Sequence, residues 1–261
     1  MPRFAANLSM MFNEVDFLDR FAAAKRHGFP AVEYLFPYAH QRGDLAERLQ
    51  GEGQQQVLFN APPGNWDQGE RGIGGLPGRE DEFRKSIELA LGYAQALNCP
   101  RIHVMAGLVP AGSDPARHRD TFAANLAWAS PLAKEAGVVL LLEPLNAVDF
   151  PGYLVGSIAT AKAIIAASCA DNVFLQYDVY HMQMSQGRLA QSFHDHMDAI
   201  RHVQIAGVPG RHEPDASQEI NFPMLFLYLD SVAYAGWIGC EYRPRARTEV
   251  GLGWAAEFGI R

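Results

Sequence analysis

The sequence is poor in cysteine and has no apolar stretch long enough to cross a membrane. Its three cysteines, Cys99, Cys169 and Cys240, are too few and too widely spaced for a disulfide framework or a zinc knuckle. They predict buried free thiols in a reducing compartment, and therefore a cytoplasmic protein. The N-terminal apolar stretch is short and is broken at Asn13 and Glu14, so we expect no signal peptide.

Basic residues are also fewer than acidic ones. The 261 residues include 22 Lys and Arg against 29 Asp and Glu, which gives a formal charge of −7. This balance argues against a surface that follows a nucleic-acid backbone, although a single arginine can still hold a small anion. Neither a dinucleotide-binding fingerprint nor a phosphate-binding loop is found. We therefore expect a small-molecule partner and no nucleic-acid or membrane partner. The sequence allows a homo-oligomer without setting its size.

Eight apolar, strand-like runs alternate with helical patterns along the chain. The runs are 3–8, 31–36, 56–61, 101–107, 138–144, 172–180, 202–207 and 237–242. Several are apolar almost throughout, as expected for parallel strands that are covered on both faces. Between them, apolar residues recur at helical spacing, most clearly in 17–27, 80–97 and 117–136. The pattern predicts an α/β fold, a (β/α)8 TIM barrel that forms a single domain over residues 1–261.

The longest irregular segment is 62–78, PPGNWDQGERGIGGLPG, which follows the third predicted strand. In a TIM barrel this position lies at the C-terminal ends of the strands, where active sites form. Loops of this length are usually functional, so we interpret the segment as a mobile lid that carries Trp66 and Arg71. An ordinary surface insertion is the alternative.

Oxygen-bearing side chains close the last four predicted strands. They are Glu143, Asp178, Gln204 and Glu241. In a barrel these strand ends converge, and three carboxylates brought together without a cation would repel one another. Carboxylate and amide oxygens are hard ligands that suit Mg²⁺ or Mn²⁺ better than zinc. The set therefore indicates a divalent cation site.

Each of these residues also has a simple structural explanation. Glu143 could form a salt bridge at the barrel rim, and Asp178 could cap the helix that follows it. Glu241 could pair with Arg243 or Arg245. One shared site accounts for all of the strand-end positions at once, so we favour it.

Other polar residues are candidates for contacts with a substrate. Polar side chains also end or lie in the earlier strands, at Glu33, Asn60 and His103. His181 follows Asp178 by one helical turn, so it could reach the same pocket. Arg211, in the loop after the seventh strand, could hold a carboxylate through a bidentate contact, although a surface arginine is the alternative.

Long segments of the chain are similar to a known family. They are FAANLSMMF (4–12), VEYLFPY (32–38), GERGIGGLPGREDEFR (69–84), EPLNAVDFPGY (143–153), QYDVYHMQ (176–183), HVQIAGVPGRHEP (202–214), EINFP (219–223) and GWIGCEYRP (236–244). With these segments the sequence resembles the hydroxypyruvate isomerase family, within the xylose-isomerase-like barrels that also include ketose 3-epimerases and endonuclease IV. A relative that acts on 2-oxo-tetronates shares many of them.

The resemblance implies a reversible isomerisation of hydroxypyruvate to tartronate semialdehyde through an enediolate. Glu143 and Glu241 would be the acid/base pair, and a cation, Mg²⁺ or Mn²⁺, would be bound by Glu143, Asp178, Gln204 and Glu241. The epimerase relatives carry a histidine where this chain has Gln204.

The remaining expected roles concern the substrate, a small anionic hydroxy-keto acid. His181 would handle its hydroxyl proton and Arg211 its carboxylate. Asn60, Trp66 and Arg71 would complete the pocket. The alternatives are a 2-oxo-tetronate isomerase, another sugar or keto-acid isomerase or epimerase of the same fold, a DNA-repair nuclease of the same fold and a non-catalytic sugar-acid binding protein.

Overall fold

The structure is a computed structural model that describes residues 1–261. Eight strands close into a barrel in chain order, and the neighbouring strands pair in parallel. The strands are β1 Arg3–Asn7, β2 Ala31–Glu33, β3 Gln55–Asn60, β4 Arg101–His103, β5 Val139–Leu142, β6 Val173–Asp178, β7 Ile200–Ile205 and β8 Trp237–Cys240. The predicted TIM-barrel architecture is confirmed.

Eight α-helices lie between or after the strands. They are α1 Arg20–Arg26, α2 Arg42–Glu52, α3 Glu80–Leu97, α4 Pro115–Glu135, α5 Ile158–Ser168, α6 Val179–Ser185, α7 Leu189–His196 and α8 Phe222–Ser231. Short 3-10 helices cover Phe17–Asp19 and Trp66–Gln68, and a longer one covers Thr248–Phe258.

The predicted helices agree with the structure apart from their ends. The helix predicted over 80–97 matches α3, and the one predicted over 17–27 opens with the 3-10 turn before α1. Helix α4 begins at Pro115, two residues before the predicted start. Asp114 caps this helix by accepting the N–H of Ala116, and proline suits the first helical position because its missing N–H has no partner there.

The chain groups into two compact units. The first comprises Met1–Val57 and Tyr177–Arg261, and the second is Leu58–Gln176. The assignment of residues 1–261 to a single domain stays a prediction.

An aromatic cluster lies in the core of the first unit. The ring of Phe4 on β1 lies 5.3 Å from that of Phe226 on α8, 5.2 Å from that of Trp254 and 5.1 Å from that of Phe258. Aromatic pairs at these separations add to the stabilisation from burial alone. The cluster therefore packs the C-terminal 3-10 helix against β1 and α8.

In the second unit, the C-terminal part of the 62–78 loop is fixed to α4 and to the residues that follow β4. Asn125 donates to the carbonyl of Gly74 over 2.7 Å, and His118 Nδ1 lies 2.7 Å from the carbonyl oxygen of Gly75. The N–H groups of Gly74 and Gly75 donate to the carbonyls of Met105 and Ala106. These bonds anchor residues 72–75, so any closing motion of the predicted lid would have to come from its N-terminal part.

The cysteines differ in exposure. Cys99 and Cys240 are buried, as predicted, and all three are free thiols. Cys169 is exposed, and the expectation that it is buried was wrong. It lies at the C-terminal cap of α5 in a left-handed conformation, which turns the chain at the surface. None of the helices is both long and apolar enough to cross a membrane.

Candidate active site

Asp178 ends β6 and uses its two carboxylate oxygens differently. Oδ1 accepts the N–H of Tyr180 over 2.8 Å, so the residue caps α6, as its simple structural explanation proposed. Oδ2 lies 3.2 Å from Nη2 of Arg211 and 3.7 Å from Nε2 of His181. The cap therefore fixes the carboxylate while leaving one oxygen directed at charged and polar groups.

Arg211 joins Asp178 to Glu241. Its Nη2 donates to Oε2 of Glu241 over 2.5 Å, and its guanidinium carbon lies 5.0 Å from the ring centre of Tyr180. Arg211 itself adopts a φ of 54°. The alternative that Glu241 pairs with Arg245 was wrong, because Arg245 contacts other acidic residues. One guanidinium thus supplies the positive charge that these two buried carboxylates need.

Burial changes the protonation of both carboxyl groups. It raises the pKa of Glu241 to about 8; the Arg211 guanidinium opposes this shift, and the negative charges of Asp178 and Glu33 add to it. Burial likewise raises the pKa of Asp178, again against the effect of Arg211. Groups with perturbed pKa values cluster at functional sites because catalysis needs groups that gain and lose protons near neutral pH.

Gln204, on β7, is held by a buried carboxylate. Its Nε2 donates to Oε1 of Glu33 over 2.7 Å, and Asn7 Nδ2 donates to the same oxygen over 3.0 Å. His202 Nε2 lies 2.6 Å from Oε2 of Glu33. Asn7 Nδ2 also lies 3.4 Å from Oε1 of Glu241, which links this network to the Glu241 carboxylate.

Glu143 follows β5 in the second unit and lies beside His103. The distance between His103 Nδ1 and Glu143 Oε2 is 3.4 Å, and both side chains are buried. Burial lowers the pKa of His103 to about 3, so its ring is neutral at physiological pH. Burial also raises the pKa of Tyr153, whose hydroxyl accepts the N–H of Ala106 over 3.0 Å. The surroundings of Glu143 thus contain neutral polar groups.

Asp178 and His181 of the first unit form a buried group that can offer ligand atoms to a metal ion. Oδ2 of Asp178 and Nε2 of His181 lie 3.7 Å apart. The donors fit a divalent cation, because the carboxylate oxygens of Asp178 and Glu241 are hard ligands and both contact the same positive group, Nη2 of Arg211. His181, which the sequence analysis assigned to the substrate, is part of this group.

The remaining candidate substrate residues belong to the second unit. Asn60 is buried at the end of β3, with Nδ2 4.0 Å from the sulfur of Met105. Trp66 and Arg71 lie in the 62–78 loop, where the guanidinium carbon of Arg71 is 4.0 Å from the Trp66 ring centre. Arg71 Nη1 also donates to the carbonyls of Trp66 and Glu70. Contacts of these residues with a substrate stay predictions.

Sequence reasoning missed the residues that surround Gln204. Asn7 and His202 were not singled out, and Glu33 was noted only as a polar strand end. A signal was present in β7, where His202 and Gln204 are two residues apart and so face the same side of the strand. Asn7 likewise ends β1 directly after three buried apolar residues.

Comparisons with known proteins agree with this fold. The family model described as "Xylose isomerase-like TIM barrel" matches residues 21–258. The chain is 54% identical to 2-oxo-tetronate isomerase of Cupriavidus necator, over 99% of both chains. It is 42% identical to hydroxypyruvate isomerase of Escherichia coli K12, over 97% of this chain and 98% of the other.

A solved structure is also similar over nearly the full length. It is that of a family 2 AP endonuclease from Brucella melitensis, with a TM-score of 0.96, 46% identity and 99% coverage of both chains. The resemblance found in the sequence is therefore confirmed. The chain belongs to the xylose isomerase-like TIM barrel family, alongside relatives named 2-oxo-tetronate isomerase and hydroxypyruvate isomerase.

Proposed function

We propose that the protein is an isomerase that interconverts a short hydroxy-keto acid and its hydroxy-aldehyde or hydroxy-ketone isomer. Our first candidate is the reversible conversion of hydroxypyruvate to tartronate semialdehyde. In this reaction a proton leaves the hydroxyl-bearing C3, a cis-enediolate forms across C2 and C3, and a proton is added to C2. The proton of the C3 hydroxyl is lost as the aldehyde forms, and the oxygen on C2 gains a proton to become the new hydroxyl. The reaction needs a base, an acid and stabilisation of the enediolate charge.

The observation that carries the proposal is the set of buried carboxylates around one guanidinium. Nη2 of Arg211 contacts both Asp178 and Glu241, and burial raises the pKa of Glu241 to about 8. Buried carboxyl groups at this position can act as general acid and base, as an isomerisation requires. Relatives of 42–54% identity that are named as isomerases support the same reading.

We assign the proton transfers to Glu143 and Glu241. One glutamate takes the proton from the hydroxyl-bearing carbon, and the other returns a proton to the neighbouring carbon. Neutral His103 beside Glu143 adds no positive charge that would weaken this carboxylate as a base. The direction of the reaction decides which glutamate acts first.

The other residues bind the substrate and hold its charge. Glu143, Asp178, Gln204 and Glu241 would hold Mg²⁺ or Mn²⁺. When bound, the cation supplies Lewis-acid stabilisation of developing negative charge. Arg211 would turn part of its guanidinium to the substrate carboxylate, because its planar fork suits a bidentate contact. His181 would hold the hydroxyl proton, and the loop residues Trp66 and Arg71 would exclude water.

A 2-oxo-tetronate is the second candidate substrate. Identity to the Cupriavidus necator 2-oxo-tetronate isomerase is 54%, against 42% to the Escherichia coli hydroxypyruvate isomerase. The two substrates share a carboxylate, a ketone and a hydroxyl-bearing carbon, and they differ by one hydroxymethyl group on that carbon. The same acid/base chemistry serves both, so the choice depends on the room beside C3.

Turnover of the two substrates, measured side by side, tests the proposal. The protein is first treated with a chelator and is then assayed with no metal, with Mg²⁺ and with Mn²⁺. We expect isomerisation after metal addition and a clear preference for one substrate in kcat/KM. Binding without turnover under every condition would favour a non-catalytic sugar-acid binding protein.

A nuclease function is a less favoured reading. The structurally similar Brucella melitensis protein is called an AP endonuclease, but the net charge of −7 here opposes binding along a DNA backbone. Cleavage of an abasic-site duplex is expected to be absent. We also place the protein in the cytoplasm, because its cysteines are free.

A further inference from the structure

We propose that Glu33 is a positioning residue for Gln204, and that it sets which atom of the Gln204 amide faces the cation. The inference rests on the proposed cation site and extends it to a residue outside the ligand set. It explains how a neutral amide can serve as a ligand beside carboxylates.

Glu33 is completely buried and its carboxylate is surrounded by donors. Oε1 accepts from Gln204 Nε2 over 2.7 Å and from Asn7 Nδ2 over 3.0 Å, and Oε2 lies 2.6 Å from His202 Nε2. A buried carboxylate is tolerated when its oxygens are satisfied in this way. The ionised group is an acceptor with no donor, so each neighbour must turn an N–H group towards it.

This requirement fixes the orientation of the Gln204 amide. Because the NH₂ group of Gln204 donates to Glu33, the carbonyl oxygen of the same amide is on the side away from that hydrogen bond. That oxygen is the atom that a divalent cation prefers, since the NH₂ group has no lone pair to offer. A freely turning glutamine could present either group. Glu33 removes that choice. Carboxylates act in the same way when they accept the second ring N–H of a metal-binding histidine and so fix the orientation of its ring.

Glu33 orients the side-chain amide of Asn7 in the same way. Its Oδ1 accepts the N–H of Ser9 over 3.1 Å, which leaves its NH₂ group for Glu33 and for Oε1 of Glu241. Glu33 therefore orients two amides: that of Gln204, which is itself a proposed ligand, and that of Asn7, which contacts the Glu241 carboxylate.

The fold makes room for this carboxylate at Gly239. A Cβ atom at Gly239, on β8, would collide with both oxygens of Glu33. His202 Nδ1 is buried and has no hydrogen-bond partner, a cost that the contact of its Nε2 with Glu33 offsets. The fold thus keeps a glycine at position 239 and tolerates an unpaired nitrogen in His202, and both features hold the Glu33 carboxylate in this position.

The test measures Mn²⁺ affinity by isothermal titration calorimetry, which needs no turnover. Glu33→Leu removes the acceptor, and we expect the Kd for Mn²⁺ to rise about tenfold or more, as for other residues that orient metal ligands. Glu33→Gln keeps a carbonyl oxygen that can accept from Gln204. Its new NH₂ group can donate to His202, which changes tautomer to accept the hydrogen bond. We expect this variant to retain most of the affinity.

A double-mutant cycle separates positioning from a general structural effect. If Glu33 acts through Gln204, adding Glu33→Leu to Gln204→Ala should not raise the Kd further. Glu213→Gln is the matched control, since Glu213 is another buried glutamate of the first unit but is bonded to Arg245. The control should leave the Kd for Mn²⁺ unchanged even where it lowers thermal stability.

If Glu33→Leu does not fold, a second variant, Gln204→Glu, tests the same inference. A carboxylate at position 204 is a stronger ligand, but it cannot donate to Glu33 and is repelled by it. We expect no gain in Mn²⁺ affinity from Gln204→Glu alone and a gain when Glu33→Gln is added. Tighter binding by the single variant, or additive effects in the cycle, would overturn the inference. A wild-type protein that does not bind Mn²⁺ would overturn the proposed cation site as well.

Discussion

Nη2 of Arg211 lies 2.5 Å from Oε2 of Glu241 and 3.2 Å from Oδ2 of Asp178, so one guanidinium nitrogen bridges two buried carboxylates. Without this contact the two acids would face each other in a region of low polarity. The bridge supplies positive charge to both acids and so helps the barrel to tolerate them.

Replacement of Arg211 should therefore destabilise the metal-free protein. We expect Arg211→Ala to lower the free energy of unfolding by about 2–3 kcal/mol in the presence of a chelator, because breaking a buried ion pair leaves unpaired charge. Added Mn²⁺ should restore more stability to this variant than to the wild type. Urea denaturation with and without Mn²⁺ measures both effects.

Arg211→Lys is the control for charge. It keeps the positive charge but loses the planar fork, so its stability should lie between that of Arg211→Ala and that of the wild type. Equal stability of all three proteins in chelator would show that the bridge contributes nothing.

The 62–78 loop should depend on a pH-sensitive ion pair. Arg79 contacts both carboxylate oxygens of Glu70, and its hydrogen bond lowers the pKa of Glu70. A carboxyl group whose pKa is lower in the folded protein adds stability above its unfolded pKa and loses it as the pH falls through the folded value. Glu70→Gln should cost about 0.5–1 kcal/mol at pH 7. The difference from wild type should shrink as the pH falls below the ordinary pKa of a glutamate and disappear below the lowered pKa of Glu70.

Chemical denaturation across pH 3 to 7 checks this prediction. Glu88→Gln, at an exposed glutamate of α3, is the control and should show no such trend. A Glu70→Gln penalty that stays constant down to pH 3 would mean that the ion pair is not its source.

Two glycines of the loop should differ in their tolerance of alanine. Gly72 has a φ of 110°, and a Cβ there would collide with the backbone of Met105; Gly78 has a φ of 88° but open space around it. We expect Gly78→Ala to cost about 1 kcal/mol from backbone strain alone, and Gly72→Ala about 3 kcal/mol or more. Equal losses in urea denaturation would contradict the anchoring of the loop to β4.

Periodicity and strand-end chemistry predicted the barrel and its key acids. Asp178 is the last residue of β6, Gln204 lies within β7, and Glu143 and Glu241 come directly after β5 and β8. They could be found because parallel strands bring their C-terminal ends to one face whatever the loops do.

Contacts between distant residues could not be predicted in the same way. Glu33 and His202 are 169 positions apart, and neither strand reveals which polar residue meets which. The hydrogen bonds of Asn125 and His118 to the loop likewise depend on the exact path of glycines 72–75. Cys169 is exposed because it ends α5 in a left-handed backbone conformation, and the hydrophobic pattern of the sequence does not indicate where such a conformation occurs.

The central claim is that two glutamates carry the substrate proton, and exchange with deuterium oxide tests it most directly. With Mn²⁺ present, NMR should show the wild type replacing the substrate C–H proton with deuterium. Glu143→Gln and Glu241→Gln should each slow this exchange by at least about 100-fold, since each removes a group that carries the proton. Glu213→Gln should exchange at the wild-type rate. Exchange at the wild-type rate by either Glu143→Gln or Glu241→Gln would contradict the two-glutamate mechanism.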